Sequence, residues 1–226
     1  MQRIWLAWLM AGLSASCSQS SGNSGKTGPL PKPERDLSDA VKPGETHTAV
    51  FAGGCFWCVE AVFEELNGVT SVVSGYAGGN AETADYQKVS AGTTKHAEAV
   101  LITYDPSQVS YATLLQVFFS THDPTQLDAQ GPDQGHQYRS AIFYAHDREK
   151  KAAQDYIRQL EQPKVFDKPI VTTLESLDRF YPAEDYHQDF VAKHPDHRYV
   201  RAWLPGKLRK LREWYPELLK GKQGEH

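Results

Sequence analysis

The chain turns at Ala52-Gly53-Gly54-Cys55-Phe56-Trp57-Cys58-Val59-Glu60, where a short apolar run ends and a helical pattern begins. The apolar run covers residues 48–51, and from Phe56 onward apolar side chains recur at helical spacing. Cys55 is therefore predicted to lie where a strand turns into a helix N-terminus. Unpaired N–H groups and the helix dipole favour an anion there, so we expect the thiol to tend toward thiolate. The glycines leave room for a substrate to reach the sulfur, and Cys55 is the candidate nucleophile.

Cys58 follows Cys55 by about one helical turn, on the same side of the predicted helix. A regular helix holds Cβ atoms at this spacing about 5–6 Å apart, whereas a disulfide needs a separation nearer 4 Å. The first turn has few intrahelical hydrogen bonds to lose, so it can distort enough to allow the bond. A buried free thiol is the other interpretation of a cysteine, but a C-x-x-C pair after a Gly-Gly turn favours redox chemistry.

The composition excludes several classes of protein. With 226 residues and 40% hydrophobic content, the chain can bury one substantial core. The net charge is −4 and no long basic run occurs, so we expect no nucleic-acid partner. Three cysteines exclude a multi-disulfide scaffold, and we expect the protein to be a monomer.

The N-terminal region carries the features of export. Residues 1–16 are predicted to be a signal peptide, because a basic start precedes an apolar stretch too short to span a membrane. Cys17 follows small residues and resembles the lipidated cysteine of a bacterial lipoprotein, although Ser14 stands where leucine is usual. Ordinary cleavage nearby, which would leave a free thiol, is the alternative. Residues 17–46, rich in Ser, Gly and Pro, are predicted to be a flexible tether outside the fold. We therefore expect a lipoprotein of the bacterial cell envelope, anchored in the membrane through lipid at Cys17 and facing the periplasm or the cell surface.

A carboxyl group lies in the predicted strand from His96 to Tyr104. In a strand, Glu98 shares one face with Val100 and Ile102. If that face is buried, desolvation raises the pKa of Glu98 and keeps it protonated at neutral pH, which suits a general acid. A glutamate at a solvated strand end is the other interpretation, and the pattern alone does not decide between the two.

A polar stretch at residues 125–139 has almost no core-forming side chains. A structureless loop of this length in a compact domain is usually functional or disordered. Its candidate polar groups are Asp133, His136, Gln137 and Tyr138. Tyr86 lies in another polar loop, where an isolated tyrosine is usually only a surface ring.

The remaining periodicity alternates between strand and helix. Strands are predicted at residues 69–76, 140–144 and 170–174, and helices begin at the capping residues Ser110 and Asp147. Further helical patterns lie near residues 185–192 and 204–219. This alternation predicts an α/β (α+β) two-layer sandwich in which helices cover a mixed sheet.

Three segments in combination resemble peptide methionine sulfoxide reductase A, and they are Gly54-Cys55-Phe56-Trp57, His96-Ala97-Glu98 and Asp133-Gln134-Gly135-His136-Gln137-Tyr138-Arg139-Ser140. The resemblance covers roughly residues 47–215, so the catalytic domain is assigned to residues 47–220. It implies a split βαβ core and the reduction of the S epimer of methionine sulfoxide, in proteins and as the free amino acid. It also implies a thioredoxin-like electron donor.

The resemblance also implies roles for single residues. Cys55 would be the nucleophile and Glu98 the proton donor. The sulfoxide oxygen would be held, through hydrogen bonds and water, by Tyr86, Tyr138 and Asp133, and the pocket for the substrate's methyl group would be walled by Phe56 and Trp57. Many family members place recycling cysteines near the C-terminus, whereas this chain has none after Cys58, so the resolving role falls to Cys58.

The implied mechanism uses thiols alone. The Cys55 thiolate attacks the sulfoxide sulfur while Glu98 protonates the departing oxygen, which leaves a sulfenic acid on Cys55. Cys58 condenses with that sulfenic acid to a disulfide, and an external dithiol restores both thiols. No metal or organic cofactor is needed, and the partners are oxidised proteins or peptides and the dithiol donor.

Two other classes of function remain open. A strand followed by C-x-x-C at the start of a helix also describes a general disulfide oxidoreductase, but that interpretation gives no role to Glu98 or to the loop around Asp133. A non-catalytic surface lipoprotein with an aromatic cleft is the second. A zinc site is weaker, since one C-x-x-C with His194 and His197 does not give a four-ligand spacing.

Overall fold

The computed structural model describes residues 28–37 and 44–221. The predicted signal peptide and Cys17 lie outside these ranges. The described strands are β1 His47–Gly53, β2 Val69–Ala77, β3 Ala97–Tyr104, β4 Ala129–Gln130, β5 Asp133–Gln134, β6 Ser140–Tyr144, β7 Thr173–Ser176 and β8 Phe180–Pro182. The described helices are α1 Phe56–Glu64, α2 Tyr86–Ser90, α3 Tyr111–Thr121, α4 Asp147–Glu161, α5 Phe190–Lys193 and α6 Arg198–Trp214.

The unit β1–α1–β2 lies at the centre of the fold. β3 lies between β1 and β2 and pairs antiparallel with both, so the two strands joined by α1 are parallel but not adjacent. This is the split βαβ arrangement that the family resemblance implied. The sheet has the order β7-β6-β1-β3-β2-β8, with β7 parallel to β6 and the other pairs antiparallel. The prediction of a mixed sheet with helices is therefore confirmed.

The two faces of β3 contribute to two different clusters. Val100 and Ile102 belong to the main hydrophobic core, which also includes Phe63 of α1, Phe118 of α3 and Tyr156 of α4. The opposite face belongs to a smaller cluster built mostly from small side chains on β1, β2, β3 and β6. The alternation in the sequence thus identified the strand faces correctly.

Some element boundaries differ from those predicted. The strand expected at residues 170–174 is β7, which begins at Thr173, and the last long helix begins at Arg198 and runs through Pro205. Val200 and Leu204, four residues apart, are both buried, so one helical face already forms before the proline. The helical pattern at 185–192 is divided into a 3-10 turn and α5, because Asp189 adopts a left-handed conformation with φ +53°.

The loop at residues 125–139 is more ordered than expected. It contains the hairpin of β4 and β5, followed by a 3-10 turn at His136–Tyr138. The side-chain amide of Gln130 bonds both the N–H and the carbonyl of Asp123, at 3.2 and 3.1 Å. Polar side chains rather than an apolar stripe hold this segment, which is why hydrophobic periodicity did not reveal it.

Part of the predicted tether belongs to the fold. Leu30 is only 4% exposed and lies in the main core. Its N–H donates to the hydroxyl of Tyr215 at 2.9 Å, and its carbonyl accepts from the amide of Gln116 at 2.7 Å. The hydroxyl of Tyr156 donates to the Pro31 carbonyl at 2.8 Å. The prediction that this segment lies outside the fold is therefore wrong for residues 28–37, because a single leucine between prolines is enough to fill a core position.

Candidate active site

Cys55 lies at the junction of β1 and α1, as predicted. Its carbonyl accepts hydrogen bonds from the N–H groups of Cys58 at 3.1 Å and Val59 at 3.4 Å, so the helix starts directly after it. Gly54 has φ +92°, and a Cβ there would lie 2.5 Å from the Cβ of Gln130. A side chain at position 54 would strain the backbone and collide with the β4–β5 hairpin, so only glycine fits this turn.

Cys58 lies in the first turn of α1 and is more deeply buried than Cys55. The two residues are 1% and 8% exposed, respectively. Cys58 belongs to a small cluster with Ala61 of α1 and with Val200 and Leu204 of α6. Both thiols are free, and each shifts the pKa of the other. The two sulfurs are thus close together without a disulfide, and α6 covers the inner one.

The electrostatics of the pair differ from the sequence-based expectation. Burial raises the pKa of the Cys55 thiol well above its usual value of 9.0, and the hydrogen bond with Cys58 and the nearby Glu98 add to the rise. The hydrogen bond from Cys55 lowers the pKa of Cys58 despite the cost of burial, with help from Lys207. A helix dipole is typically worth about 0.3–1 kcal/mol, less than the desolvation of a buried thiolate. Burial therefore opposes the thiolate form of Cys55 that the helix N-terminus was expected to favour.

Glu98 lies at the start of β3 and is 2% exposed, so the buried interpretation of this carboxyl is correct. Its Oε2 accepts the N–H of Phe56 at 3.1 Å, which brings the carboxyl to the N-terminus of α1, next to Cys55. Burial raises the pKa of Glu98 to about 8, against the opposing effect of the Phe56 hydrogen bond. The carboxyl therefore holds a proton at neutral pH, as a general acid requires.

Tyr86 and Tyr138 reach the same site from two different segments. Tyr86 is the first residue of α2, which is capped by the side chain of Asp85, and Tyr138 ends the 3-10 turn after β5. Burial raises the pKa of each phenol, and the nearby charges of Glu98 and Cys55 raise it further. Both hydroxyl groups are therefore protonated at neutral pH and can donate hydrogen bonds. The structure brings both tyrosines together with Cys55 and Glu98.

Asp133 approaches the site from β5. It is half-buried and accepts a hydrogen bond from the hydroxyl of Tyr199 on α6. Burial raises the pKa of Asp133, whereas Tyr199 and Lys207 oppose that rise. Its charge also raises the pKa of Cys55 and of Glu98, so this carboxyl belongs to the same cluster.

The predicted pocket aromatics, Phe56 and Trp57, occupy different depths. Phe56 is 1% exposed and packs with ring centroids 6.0 Å from Tyr76 and 5.0 Å from His187. Trp57 is half-buried and stacks on Phe190 with centroids 3.7 Å apart. Its indole N–H donates to Nδ1 of His187 at 3.1 Å. Trp57 is thus a fixed surface at the site, with Phe56 beneath it.

Several residues of the site were not indicated by the sequence. His187 is 1% exposed, and the centroid of its ring lies 4.3 Å from that of Tyr86. Glu184 accepts hydrogen bonds from the Tyr76 hydroxyl at 2.9 Å and from the Tyr86 N–H at 3.0 Å. In the sequence, only the polar run at residues 184–188 could have indicated that Glu184 and His187 belong to the site. His136, in contrast, is exposed and bonds Asp128, away from the thiols.

Gln137 is buried and its amide donates to the Ser90 carbonyl at 3.0 Å. It therefore connects the polar loop to the end of α2 instead of taking part in the thiol cluster.

Residues 28–37 and 44–221 contain no group of three His, Cys, Asp or Glu side chains able to hold a metal ion. Within the same ranges no helix is both long and apolar enough to cross a membrane.

Two free thiols in the first turn of a helix, beside a buried carboxyl that holds its proton, are typical of a thiol-dependent oxidoreductase. The family model of peptide methionine sulfoxide reductase matches residues 47–217, and the chain belongs to this family. It is therefore a thiol-dependent methionine sulfoxide reductase. Membership decides against a general disulfide oxidoreductase and against a non-catalytic binding protein.

Individual relatives agree with the family match. The chain is 53% identical over 193 residues to peptide methionine sulfoxide reductase MsrA 2 of a Synechocystis strain, which covers 84% of this chain and 90% of the relative. Methionine sulfoxide reductase A of Corynebacterium diphtheriae has a similar structure, with TM-score 0.59 and 34% identity over 76% of this chain and 88% of that one. Reduced Mxr1 of Saccharomyces cerevisiae also has TM-score 0.59, with 32% identity over 70% and 90% of the two chains.

Proposed function

We propose that the protein reduces the S epimer of methionine sulfoxide, in oxidised proteins and as the free amino acid, with Cys55 as nucleophile and Glu98 as general acid. The observation that carries this proposal is the hydrogen bond from the Phe56 N–H to Glu98, which brings a protonated carboxyl next to the thiol. A sulfoxide oxygen is a poor leaving group unless it is protonated as the S–O bond breaks, so both groups are needed at one place.

The reductase step starts from a neutral site. Because burial raises the pKa of Cys55 above that of Glu98, both groups carry protons at pH 7. Sγ of Cys55 attacks the sulfoxide sulfur, and Glu98 gives its proton to the sulfoxide oxygen and regains one from the thiol. The attack forms an S–S bond between Cys55 and the substrate. The S–O bond then breaks, the hydroxyl group passes to Sγ of Cys55 as the S–S bond breaks, and the substrate leaves as a thioether, so Cys55 becomes a sulfenic acid. Keeping the site neutral throughout avoids an unpaired charge in a buried environment.

The tyrosines and the aromatic rings orient the substrate in this proposal. Tyr86 and Tyr138 keep their hydroxyl protons and donate hydrogen bonds to the sulfoxide oxygen, and Asp133 acts in the same network through water. Trp57, held by Phe190 and His187, forms the wall for the methyl group with Phe56 beneath. A chiral sulfoxide presented between a fixed wall and fixed donors fits in only one configuration, which accounts for the stereospecificity.

Recycling uses the second thiol. Cys58 attacks the sulfur of the Cys55 sulfenic acid, water leaves, and a Cys55–Cys58 disulfide forms. The proposal is supported by the one-turn spacing of the two free thiols and by the effect of each on the pKa of the other. A thioredoxin-like dithiol then reduces the disulfide and is itself oxidised. In this proposal neither a metal nor an organic cofactor takes part, and the protein acts as a monomer.

The decisive test compares wild type with Cys55→Ser on two peptides that carry the S or the R sulfoxide. Chromatographic separation of the sulfoxide and the thioether measures conversion. We expect wild type to reduce only the S epimer and the variant to reduce neither. Equal reduction of both epimers, or activity of the variant, would contradict the proposal.

The location of the protein is a separate proposal. We propose that residues 1–16 direct export and that Cys17 becomes a lipidated N-terminus of a cell-envelope protein. The support comes from the order of basic start, short apolar stretch, small residues and cysteine in the sequence. Two linked acyl chains bury enough CH₂ groups for stable anchoring.

A further inference from the structure

The two sulfurs of the dithiol differ in access. Cys58 is 1% exposed and is covered by Val200 and Leu204 of α6. Cys55 is 8% exposed and lies at the N-terminus of α1 with Tyr86 and Tyr138 nearby. A reductant must approach a disulfide sulfur along the S–S axis, from the side opposite the leaving sulfur. Val200 and Leu204 of α6 pack against Cys58 and hinder such an approach, so Cys55 is the more accessible of the two sulfurs.

A lysine lies near the inner sulfur. Lys207 follows Leu204 by three residues on α6, so both project to the same side of the helix. Its Nζ donates to the carbonyl of Thr121 at 3.0 Å, which fixes the ammonium group at the end of α3. Burial lowers the pKa of Lys207, and the opposing effects come first from Cys58 and Cys55 and then from Asp133 and Asp123.

The charges around Cys58 favour a thiolate at that sulfur. Cys55 lowers the pKa of Cys58 most, Lys207 lowers it through its positive charge, and Tyr199, whose hydroxyl proton goes to Asp133, adds to the lowering. Asp133 acts in the opposite direction. Lys210, on the next turn of α6, interacts with Lys207 and Asp123 rather than with the thiols.

We propose that the reducing dithiol attacks Sγ of Cys55 and that Lys207 stabilises the Cys58 thiolate that leaves. This inference rests on the proposed function, because it concerns the disulfide formed there. A donor thiolate forms an S–S bond with Cys55, the Cys55–Cys58 bond breaks, and its electron pair goes to Cys58. The second donor thiol then attacks the donor sulfur and releases Cys55, so the donor is oxidised and both cysteines are reduced. Thiols of lower pKa leave faster, so Lys207 accelerates the first of these steps.

The first experiment identifies the attacked sulfur. The Cys55–Cys58 disulfide is made with diamide, so the result does not depend on sulfoxide reduction. A thioredoxin whose second active-site cysteine is replaced by serine is added, free thiols are blocked with N-ethylmaleimide in acid, and peptides are mapped by mass spectrometry. We expect the thioredoxin on Cys55 and the maleimide on Cys58. The reverse pattern would overturn the proposal while leaving the reductase activity of the protein intact.

The second experiment tests the lysine. In Lys207→Met we expect thioredoxin to reduce the disulfide roughly tenfold more slowly. The thiolate absorbance of Cys58 at 240 nm should appear at higher pH, and the disulfide should become harder to reduce by about 30 mV if the equilibrium constant falls tenfold. Lys207→Arg should restore most of the rate, and Lys210→Met is the matched control that keeps it. Unchanged absorbance and potential in Lys207→Met, in a variant that folds normally by circular dichroism, would overturn the role of this lysine.

Discussion

Replacing Glu98 by glutamine tests the general acid most directly. Glutamine keeps the shape of the side chain and can still accept the Phe56 N–H, but it cannot deliver a proton. A positioned acid is worth roughly a hundredfold or more in rate, so we expect the first turnover of Glu98→Gln to slow by at least that factor. The variant should still bind substrate, because the tyrosines and Trp57 are unchanged.

The pH dependence of the wild-type step follows from the pKa of about 8 for Glu98. About nine tenths of the molecules carry its proton at pH 7 and about one tenth at pH 9, so the rate should fall roughly tenfold between these values. Rapid-quench measurement of one turnover, with enzyme in excess over a sulfoxide peptide, gives the profile. Glu64→Gln, at a half-buried position at the C-terminal end of α1, is the control and should keep the wild-type profile. A wild-type rate that rises from pH 7 to 9 would show that the reactive form carries Cys55 as a thiolate. A Glu98→Gln variant as fast as wild type would instead leave Tyr86 or Tyr138 as the acid.

The same substitution should change stability in a predictable direction. The pKa of Glu98 is about 8 in the folded protein against a usual value of 4.5. The folded state therefore keeps a proton that the unfolded state loses, and the free energy of unfolding falls as the pH rises between these values. Each pH unit in this range lowers the free energy of unfolding by about 1.4 kcal/mol. The total decrease therefore reaches a few kcal/mol at pH 8. Glu98→Gln does not titrate, so urea unfolding should find it more stable than wild type at pH 8 and similar to it at pH 4.5. If the variant were less stable than wild type at pH 8, burial would not destabilise the ionised form of Glu98, and its raised pKa would be contradicted.

Three further predictions concern the other parts of the chain. Cys58→Ser should convert about one sulfoxide per molecule and then stall with thioredoxin, because sulfenic acid formation needs only Cys55; sustained wild-type turnover would remove Cys58 from the resolving role. Leu30→Ala should lower the free energy of unfolding by roughly 2–4 kcal/mol in urea titrations, whereas Leu127→Ala, at a position 71% exposed, should change it little; equal effects would contradict the packing of residues 28–37. Cys17→Ala should move the protein from the membrane to the soluble fraction without loss of activity, and wild type found wholly in the soluble periplasm would exclude the anchor.

The parts of the site that the sequence predicted are those whose signal is local. The strand–glycine–helix order fixed the position of Cys55, and the alternation of β3 identified the face that Glu98 shares with Val100 and Ile102. Tyr199 and Lys207 could not be found in this way. On an amphipathic helix such as α6 a lysine is usually solvent-exposed, and only the tertiary packing of α6 on α1 brings these side chains to the thiols.

The protonation state of Cys55 escaped prediction for a related reason. The helix N-terminus is visible in the sequence, but the burial that outweighs it depends on the whole fold. Residues 28–37 were misjudged because composition identifies a proline-rich segment without showing the core position that Leu30 fills. Local rules therefore located most strands and helices, though not all their bounds, and failed where a long-range contact set the energy.

The hydrogen bond from the Phe56 N–H to Glu98 has a consequence for the tolerance of the site to motion. The nitrogen of Phe56 and the carbonyl carbon of Cys55 belong to one peptide unit, so the Glu98 carboxyl is tied to the backbone of Cys55 itself. When thermal motion shifts α1 against the sheet, the Glu98 carboxyl is carried along with Cys55 instead of staying behind on β3. The separation of sulfur and proton source then varies less than the separation of the helix and the strand that bear them. Loosening of the surrounding fold should accordingly degrade substrate positioning before it degrades the proton transfer.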